Sequence, residues 1–272
     1  MIVERIEIMR FKKMTCIAFG SFESVHRGHL KIAQTVVEAA KERGLTSVII
    51  SVPREGKVFT TEEEKEYLFK KAGIDVFIST TEAELAKVIE KLDAKVVVVG
   101  EHDRETVQDN QDSEVIVVEK EDVSLADVQS AYVNNDYEKM TELCGHPYIM
   151  ISEVVHGKAL GRTHGMPTAN LKVPNNKVKP QDAVYGTSVL LGDEVFHSVT
   201  NIGKRPSVDD FDYVTIEAFI LDFNRDIYGQ KVLLEVHKHV REVKKFNNLA
   251  EVREQIDKDI DEVNRFLECR KN

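Results

Sequence analysis

The chain has 272 residues, of which 42% are hydrophobic and 31% are charged, and its formal net charge at pH 7 is −10. This length predicts one large or two ordinary domains, and the composition excludes a disordered or collagen-like chain. Because an acidic chain lacks the basic footprint that nucleic acids and anionic membranes require, we expect neither as a partner.

The sequence shows neither a membrane-spanning run nor a signal-peptide pattern, so we expect a cytoplasmic protein. No apolar run approaches the roughly 20 residues that span a bilayer, and residues 1–10 mix charges into their apolar positions, unlike a signal peptide. The cysteines, Cys16, Cys144 and Cys269, are far apart and lack zinc-site spacing, which favours reduced thiols. We expect a cytoplasmic monomer or weak oligomer.

The first half of the chain alternates strand-like and helix-like segments. Helical patterns lie at 29–43, 60–73 and 85–92. The predicted strands are residues 14–19, 46–52, 76–79, 95–99 and 114–118. Because these strands are almost wholly apolar, the pattern predicts a Rossmann-type parallel sheet, an α/β fold covered on both faces.

The pattern changes near residue 148. Two short helices end at Gly145 and Pro147, which are typical helix-stop residues, so we predict domains at 1–148 and 149–272. Strand signals then follow one another without long helices, at 148–155, 187–191, 195–200, 213–223 and 231–240. This indicates an antiparallel β-barrel, followed by an amphipathic C-terminal helix that packs against it.

A glycine-rich segment opens the second half. Gly157, Gly161 and Gly165 recur at four-residue spacing, and Lys158 and Arg162 add positive charge. Such a loop can fold its N–H groups around a phosphate chain, although glycine-rich loops are also common as structural turns.

The residues after this loop carry oxygen ligands. Pro167 precedes Thr168 and Asn170, whose side chains project the same way if the segment is extended. A hydroxyl and an amide oxygen are hard ligands that suit Mg²⁺ bridging phosphates.

Together these segments resemble the signature of riboflavin kinases, a spaced glycine loop that runs into Pro-Thr-Ala-Asn. A second matching block is Glu217–Gly229, and the resemblance extends over residues 150–268. It implies a six-stranded antiparallel barrel that transfers the γ-phosphoryl group of ATP to the 5′-hydroxyl of riboflavin, yielding FMN. It further implies Glu217 as catalytic base and ATP binding by Gly157, Lys158, Gly161, Arg162, Gly165, Thr168 and Asn170, the last two also as Mg²⁺ ligands.

The first half contains a His-x-Gly-His motif between a strand and a helix. The segment with Gly20, His26, Gly28 and His29 is similar to the nucleotidyltransferase signature, in which the histidines steady ATP phosphates. In bacterial bifunctional riboflavin kinase/FAD synthetases, such a domain precedes the kinase domain. The resemblance therefore implies a nucleotidyltransferase-like N-terminal domain with a remaining nucleotide site.

This domain departs from the family pattern. Leu125, Ala126 and Gln129 replace two hydroxyl-bearing residues and an arginine of the second phosphate segment, and the aromatic residues expected after Gly100 are missing. The domain is thus predicted to be degenerate, and the chain to be a riboflavin kinase. The alternatives are a bifunctional enzyme that also makes FAD by FMN adenylyl transfer, and a non-catalytic flavin-responsive regulator.

Overall fold

A computed structural model describes residues 14–106, 113–157, 168–205, 213–246 and 248–269. The contacts divide the chain into two compact units, one of Met1–Val128 with Leu143–Gly145, the other of Gln129–Glu142 with His146–Asn272. In the parts of the chain that are described, no helix is long and apolar enough to cross a membrane.

The first unit is built on a five-stranded parallel sheet with strand order β3-β2-β1-β4-β5. Its strands are β1 (Thr15–Gly20), β2 (Thr46–Ser51), β3 (Val76–Ser79), β4 (Ala94–Gly100) and β5 (Glu114–Val118). The predicted parallel sheet is therefore confirmed, with strand ends within two residues of the predicted ones.

Helices cover this sheet because its strands are apolar on both faces. They are α1 (Arg27–Arg43), α2 (Glu62–Lys71) and α3 (Glu82–Lys91), and a 3₁₀ helix follows β4 at Glu101–Thr106. One core cluster joins Ile17, Val48 and Val97 to Val88 and Leu92.

Local signals set the ends of these helices. Helix α1 ends at Gly44, whose φ of 65° is the left-handed conformation that glycine adopts without strain. Helix α2 begins with a capping box, in which the Thr61 N–H donates to the Glu64 carboxylate at 2.8 Å.

The second unit contains a closed antiparallel barrel with strand order β10-β7-β6-β11-β8-β9. Its strands are β6 (Tyr148–Val155), β7 (Ala169–Lys172), β8 (Ala183–Leu191), β9 (Glu194–Arg205), β10 (Tyr213–Ile220) and β11 (Lys231–Glu242). The predicted six-stranded barrel is confirmed. Closure leaves no unpaired sheet edge, which stabilises a set of short strands.

The C-terminal helix α6 (Leu249–Cys269) packs against β8, β9 and β11. Val263 and Leu267 of the helix join Val184 and Val199 in one buried cluster. The predicted amphipathic helix is thus confirmed.

Two short helices precede the barrel, α4 (Leu125–Val133) and α5 (Tyr137–Cys144). The contacts group residues 129–142 with the barrel, because the Tyr137 and Tyr185 rings meet edge-to-face at 5.3 Å and the Tyr132 hydroxyl donates to the Lys179 carbonyl at 2.7 Å. The domain boundary at 148 stays a prediction, but this segment belongs to the second compact unit.

Candidate active site

The barrel brings Glu217 and Asn170 together. They are directly opposed residues of the antiparallel pair β10 and β7. Opposed side chains in such a pair lie on one face, with Cβ atoms about 4.5–5.5 Å apart. Because Ile216 and Ala218 are buried, the half-buried Glu217 lies on the other face of β10.

Strand β10 ends earlier than its apolar pattern predicts. The predicted strand runs to residue 223, whereas β10 stops at Ile220 and Asp222 has a φ of 54°. A left-handed residue breaks the alternation of side chains, so Leu221 and Phe223 do not continue the face that carries Glu217.

Gly157 lies against Asn170. A Cβ atom at position 157 would stand 2.2 Å from Asn170 Nδ2 and 2.5 Å from its Oδ1, which is closer than any real contact. Strand β6 makes this approach possible, since Val155 at its end pairs with Asn170. Three predicted site residues, Gly157, Asn170 and Glu217, are therefore neighbours, and a side chain at position 157 would have to displace the Asn170 amide.

A cavity of about 480 Å³ adjoins Thr168 rather than these three residues, none of which lines it. Thr168 lines it together with Ala169, the ends of β6 and β10, and the segment Phe223–Tyr228. The Tyr228 ring stacks on His156 with 3.8 Å between ring centroids, just before Gly157 in the chain. The cavity thus joins a predicted oxygen ligand to the segment that follows the strand of Glu217.

A buried ion pair holds helix α6 on the barrel. Arg241 of β11 donates from Nε to Asp259 Oδ1 at 3.0 Å and from Nη2 to Oδ2 at 2.8 Å. Asp259 is 2% exposed, and Gln255 also donates to it. Such a bidentate pair has well-defined geometry and keeps the helix in one position.

Four predicted site residues, Lys158, Gly161, Arg162 and Gly165, lie outside the described residues. Their role in ATP binding stays a prediction. Of the predicted glycine loop, Gly157 is the one residue that the structure describes, and the described chain resumes after the loop at Thr168.

The His-x-Gly-His motif forms the start of helix α1 in the first unit. His26 is the N-terminal cap, and His29 in the first turn stacks on it with 3.8 Å between ring centroids. The Nδ1 atom of His29 lies 3.0 Å from the Ser24 carbonyl oxygen. Gly28 is closely packed, since a Cβ there would stand 3.1 Å from the His26 ring, while Gly20 ends β1.

Both imidazoles are neutral at pH 7. Burial, aided by the neighbouring His26, lowers the pKa of His29 to about 3, and burial also lowers the pKa of His26. A neutral imidazole can still hydrogen-bond to a ligand, but it cannot balance negative charge.

Lys65 is a buried lysine whose charge helps to lower the pKa of His29. The sequence motifs do not identify it. Lys65 is 1% exposed, and its Nζ donates to the Ser21 carbonyl and the Glu62 carboxylate at 2.6 Å each and to Ser51 Oγ at 3.2 Å. These bonds use all three donors of an ammonium group. No spacing or composition signal distinguishes this lysine from its exposed neighbours.

Two family models match the chain, one to each half. Residues 8–137 match the model described as FAD synthetase, and residues 144–267 match the model described as riboflavin kinase.

Relatives with both halves are similar over nearly the whole chain. A bifunctional riboflavin kinase/FMN adenylyltransferase of Bacillus subtilis is 29% identical, covering 92% of this chain and 92% of its own. A protein of the same description from Haemophilus influenzae is also 29% identical, covering 92% and 94%. A solved structure from Streptococcus pneumoniae, described as a macrolide-efflux protein, is 23% identical with a TM-score of 0.77, covering 93% and 94%. The structural likeness shows a shared fold alone.

Proposed function

This chain belongs to the family of bifunctional riboflavin kinases/FAD synthetases, and on that premise we propose that its barrel unit is an ATP-dependent riboflavin kinase. The reaction is transfer of the γ-phosphoryl group of ATP to the 5′-hydroxyl of riboflavin, which yields FMN and ADP. The observation that carries the proposal is the direct opposition of Glu217 and Asn170 on one face of the barrel, with Gly157 against Asn170.

Glu217 is the proposed catalytic base. A primary alcohol is a poor nucleophile at neutral pH, and a carboxylate that accepts its proton as the new bond forms lowers the barrier. The position of Glu217 supports this role, because the carboxylate is half-buried on the outer face of β10 and shares that face with Asn170.

Thr168 and Asn170 are the proposed Mg²⁺ ligands. Their hydroxyl and amide oxygens are the hard donors that the ion prefers, and the bare Cα of Gly157 lets the start of the glycine loop reach Asn170. Mg²⁺, when bound, would neutralise charge on the β- and γ-phosphate oxygens. The protein's own part is to hold ATP close to these residues, for which we propose Gly157, Lys158, Gly161, Arg162 and Gly165.

Chromatography of the products tests the proposal. The purified chain is incubated with riboflavin, ATP and Mg²⁺, and FMN and FAD are quantified separately. We expect FMN to accumulate well above a no-enzyme control. Failure of the folded protein to form FMN would contradict the kinase proposal and favour the flavin-responsive regulator.

FAD formation is the second candidate activity, favoured by the stacked His26 and His29 at the start of α1. We propose that it is weak, because Leu125, Ala126 and Gln129 supply neither the hydroxyls nor the arginine that would balance the charge developing on a transferring adenylyl group. The test supplies FMN, ATP and Mg²⁺ to the wild type and to His29→Ala. Robust FAD formation that disappears in the variant would establish the bifunctional alternative.

We also propose that the protein acts in the cytoplasm as a monomer or weak oligomer. Sedimentation velocity at micromolar concentration tests the second point, and a stable species of two or more chains would contradict it.

A further inference from the structure

Glu217 has a second polar neighbour, to which the proposed kinase reaction assigns no role. On β9, Asn201 is directly opposed to Glu217, on the side away from Asn170 of β7. Opposed residues of an antiparallel pair share one face, so Glu217 lies between two amides on the outer face of the barrel. The exposure of Asn201 agrees with this position, since Thr200 and Ile202, on either side of it, are buried.

Neither strand propensity nor core packing accounts for an asparagine at position 201. Asparagine is depleted in strands, which favour β-branched residues, and its neighbours Val199, Thr200 and Ile202 are all of that kind. The Asn201 side chain is exposed and therefore fills no part of the core. A role in binding explains why an amide stands at this point of β9.

The two amides lie on the two sides that phosphoryl transfer separates. The attacking and leaving oxygens of a transferring phosphoryl group are roughly in line, so the nucleotide and the acceptor alcohol approach from opposite sides. On the β7 side, Gly157 lies against Asn170, which is where we propose that ATP and Mg²⁺ are held. The alcohol then reaches Glu217 from the β9 side, where Asn201 is the directly opposed residue.

The surroundings of Asn201 suit a polyol that is joined to an apolar group. An amide offers two donors and an acceptor, and a hydroxyl likewise both donates and accepts. The Cβ atoms of opposed residues are about 4.5–5.5 Å apart, a separation that a short polyol chain can span. The next pair on the same face, Phe219 with Val199, is apolar. A chain of hydroxyls attached to a ring system therefore matches this side of Glu217.

We propose that Asn201 binds a hydroxyl of the ribityl chain of riboflavin and thereby makes the enzyme select a polyhydroxylated acceptor. The inference rests on the proposed kinase function and deepens it, because it assigns the acceptor to the β9 side of Glu217. Asn201 determines specificity in this scheme, while the proton of the terminal hydroxyl goes to Glu217.

Acceptor selectivity tests the proposal. The probes are riboflavin and a flavin whose side chain keeps the terminal hydroxyl but lacks the others. The selectivity ratio is kcat/KM for riboflavin divided by kcat/KM for this analogue, both at saturating Mg-ATP. We expect Asn201→Val to lower the ratio on the order of tenfold, as the loss of one hydrogen bond does, while KM for Mg-ATP stays at the wild-type value.

Asn201→Thr is the matched control for Asn201→Val. Threonine and valine have nearly the same shape and both suit a strand, so the two variants differ in one hydroxyl that can hydrogen-bond. The threonine variant should keep the higher selectivity ratio. Equal ratios in the two variants, or a wild-type ratio in Asn201→Val, would overturn the proposal. So would a kcat that falls equally with both acceptors, the result expected if Asn201 only orients the Glu217 carboxylate.

A binding measurement separates this proposal from the kinase proposal. Quenching of flavin fluorescence gives the Kd of riboflavin and of the analogue without turnover. A wild type that prefers riboflavin but forms no FMN, with the preference lost in Asn201→Val, would contradict the kinase function alone. A wild type that forms FMN, with the same preference in Asn201→Val, would contradict the role of Asn201 alone.

Discussion

Glu217 and Asn170 are directly opposed across strands β10 and β7, although they belong to separate sequence motifs. The closed barrel makes these strands neighbours, and the opposition places a carboxylate beside an amide oxygen on one face. A proposed base and a proposed Mg²⁺ ligand are thereby held by backbone hydrogen bonds rather than by flexible loops. Because the backbone fixes both positions, we expect single substitutions there to change the kinase activity directly.

Replacing Glu217 by glutamine should lower kcat for FMN formation on the order of 10²-fold or more, because the amide cannot accept the hydroxyl proton. The steady-state rate with saturating riboflavin and Mg-ATP measures the effect. Glu153→Gln, which changes an exposed carboxylate on β6 of the same barrel, should keep wild-type kcat. Near-normal turnover of Glu217→Gln would remove this residue from the role of base.

Gly157→Ala should lower kcat/KM for ATP at least tenfold with little change in far-UV circular dichroism. The new methyl group would meet the Asn170 amide at 2.2 Å and must displace it. Gly203→Ala is the matched control, because a Cβ there meets nothing within 4 Å and its φ is not in the left-handed range. If the two variants show equal kcat/KM, the close approach of Gly157 to Asn170 has no bearing on ATP use.

Thr168→Ala and Asn170→Ala should each raise the Mg²⁺ concentration that gives half-maximal kinase activity, since each removes an oxygen ligand rather than core packing. Titration of the rate with MgCl₂ at fixed ATP measures this shift. Asn175→Ala, at an exposed position beyond β7, serves as the control. Unchanged Mg²⁺ curves for both site variants would show that the ion is held elsewhere.

The buried His29 should make the first unit less stable in acid. Its pKa is about 3 in the folded chain and about 6.5 when unfolded, so the unfolded state takes up the proton first as the pH falls. The stability it contributes is complete above pH 6.5 and is lost progressively toward pH 3, by on the order of 1–2 kcal/mol at pH 5.

Urea unfolding at pH 7.5 and pH 5.0, followed by circular dichroism, measures this loss. His29→Gln should reduce the difference between the two pH values by that amount. His156→Gln, which replaces an exposed imidazole of the second unit, should leave the difference as in the wild type. Equal pH dependence in all three proteins would contradict the assignment to His29.

Much of the fold follows from local sequence patterns. The apolar runs at 46–52, 76–79 and 114–118 appear as strands with nearly the predicted ends, because the strands of a parallel sheet covered by helices are rich in apolar residues. Helix α2 begins where its threonines and glutamates predict, since a capping box involves only residues of one turn. The motifs also indicated Gly157, Asn170 and Glu217 as site residues before their proximity was known.

Such local patterns could not predict the contacts between distant segments of the chain. The sequence by itself determined which segments are strands and helices and which side chains have suitable chemistry, because periodicity and capping act over a few residues. Only the tertiary structure decided that Glu217 opposes Asn170, that residues 129–142 pack with the barrel, and that Lys65 is buried against Ser21 and Ser51. Each depends on strand register or on side-chain packing between segments far apart in the chain, and neither has a local periodicity to reveal it.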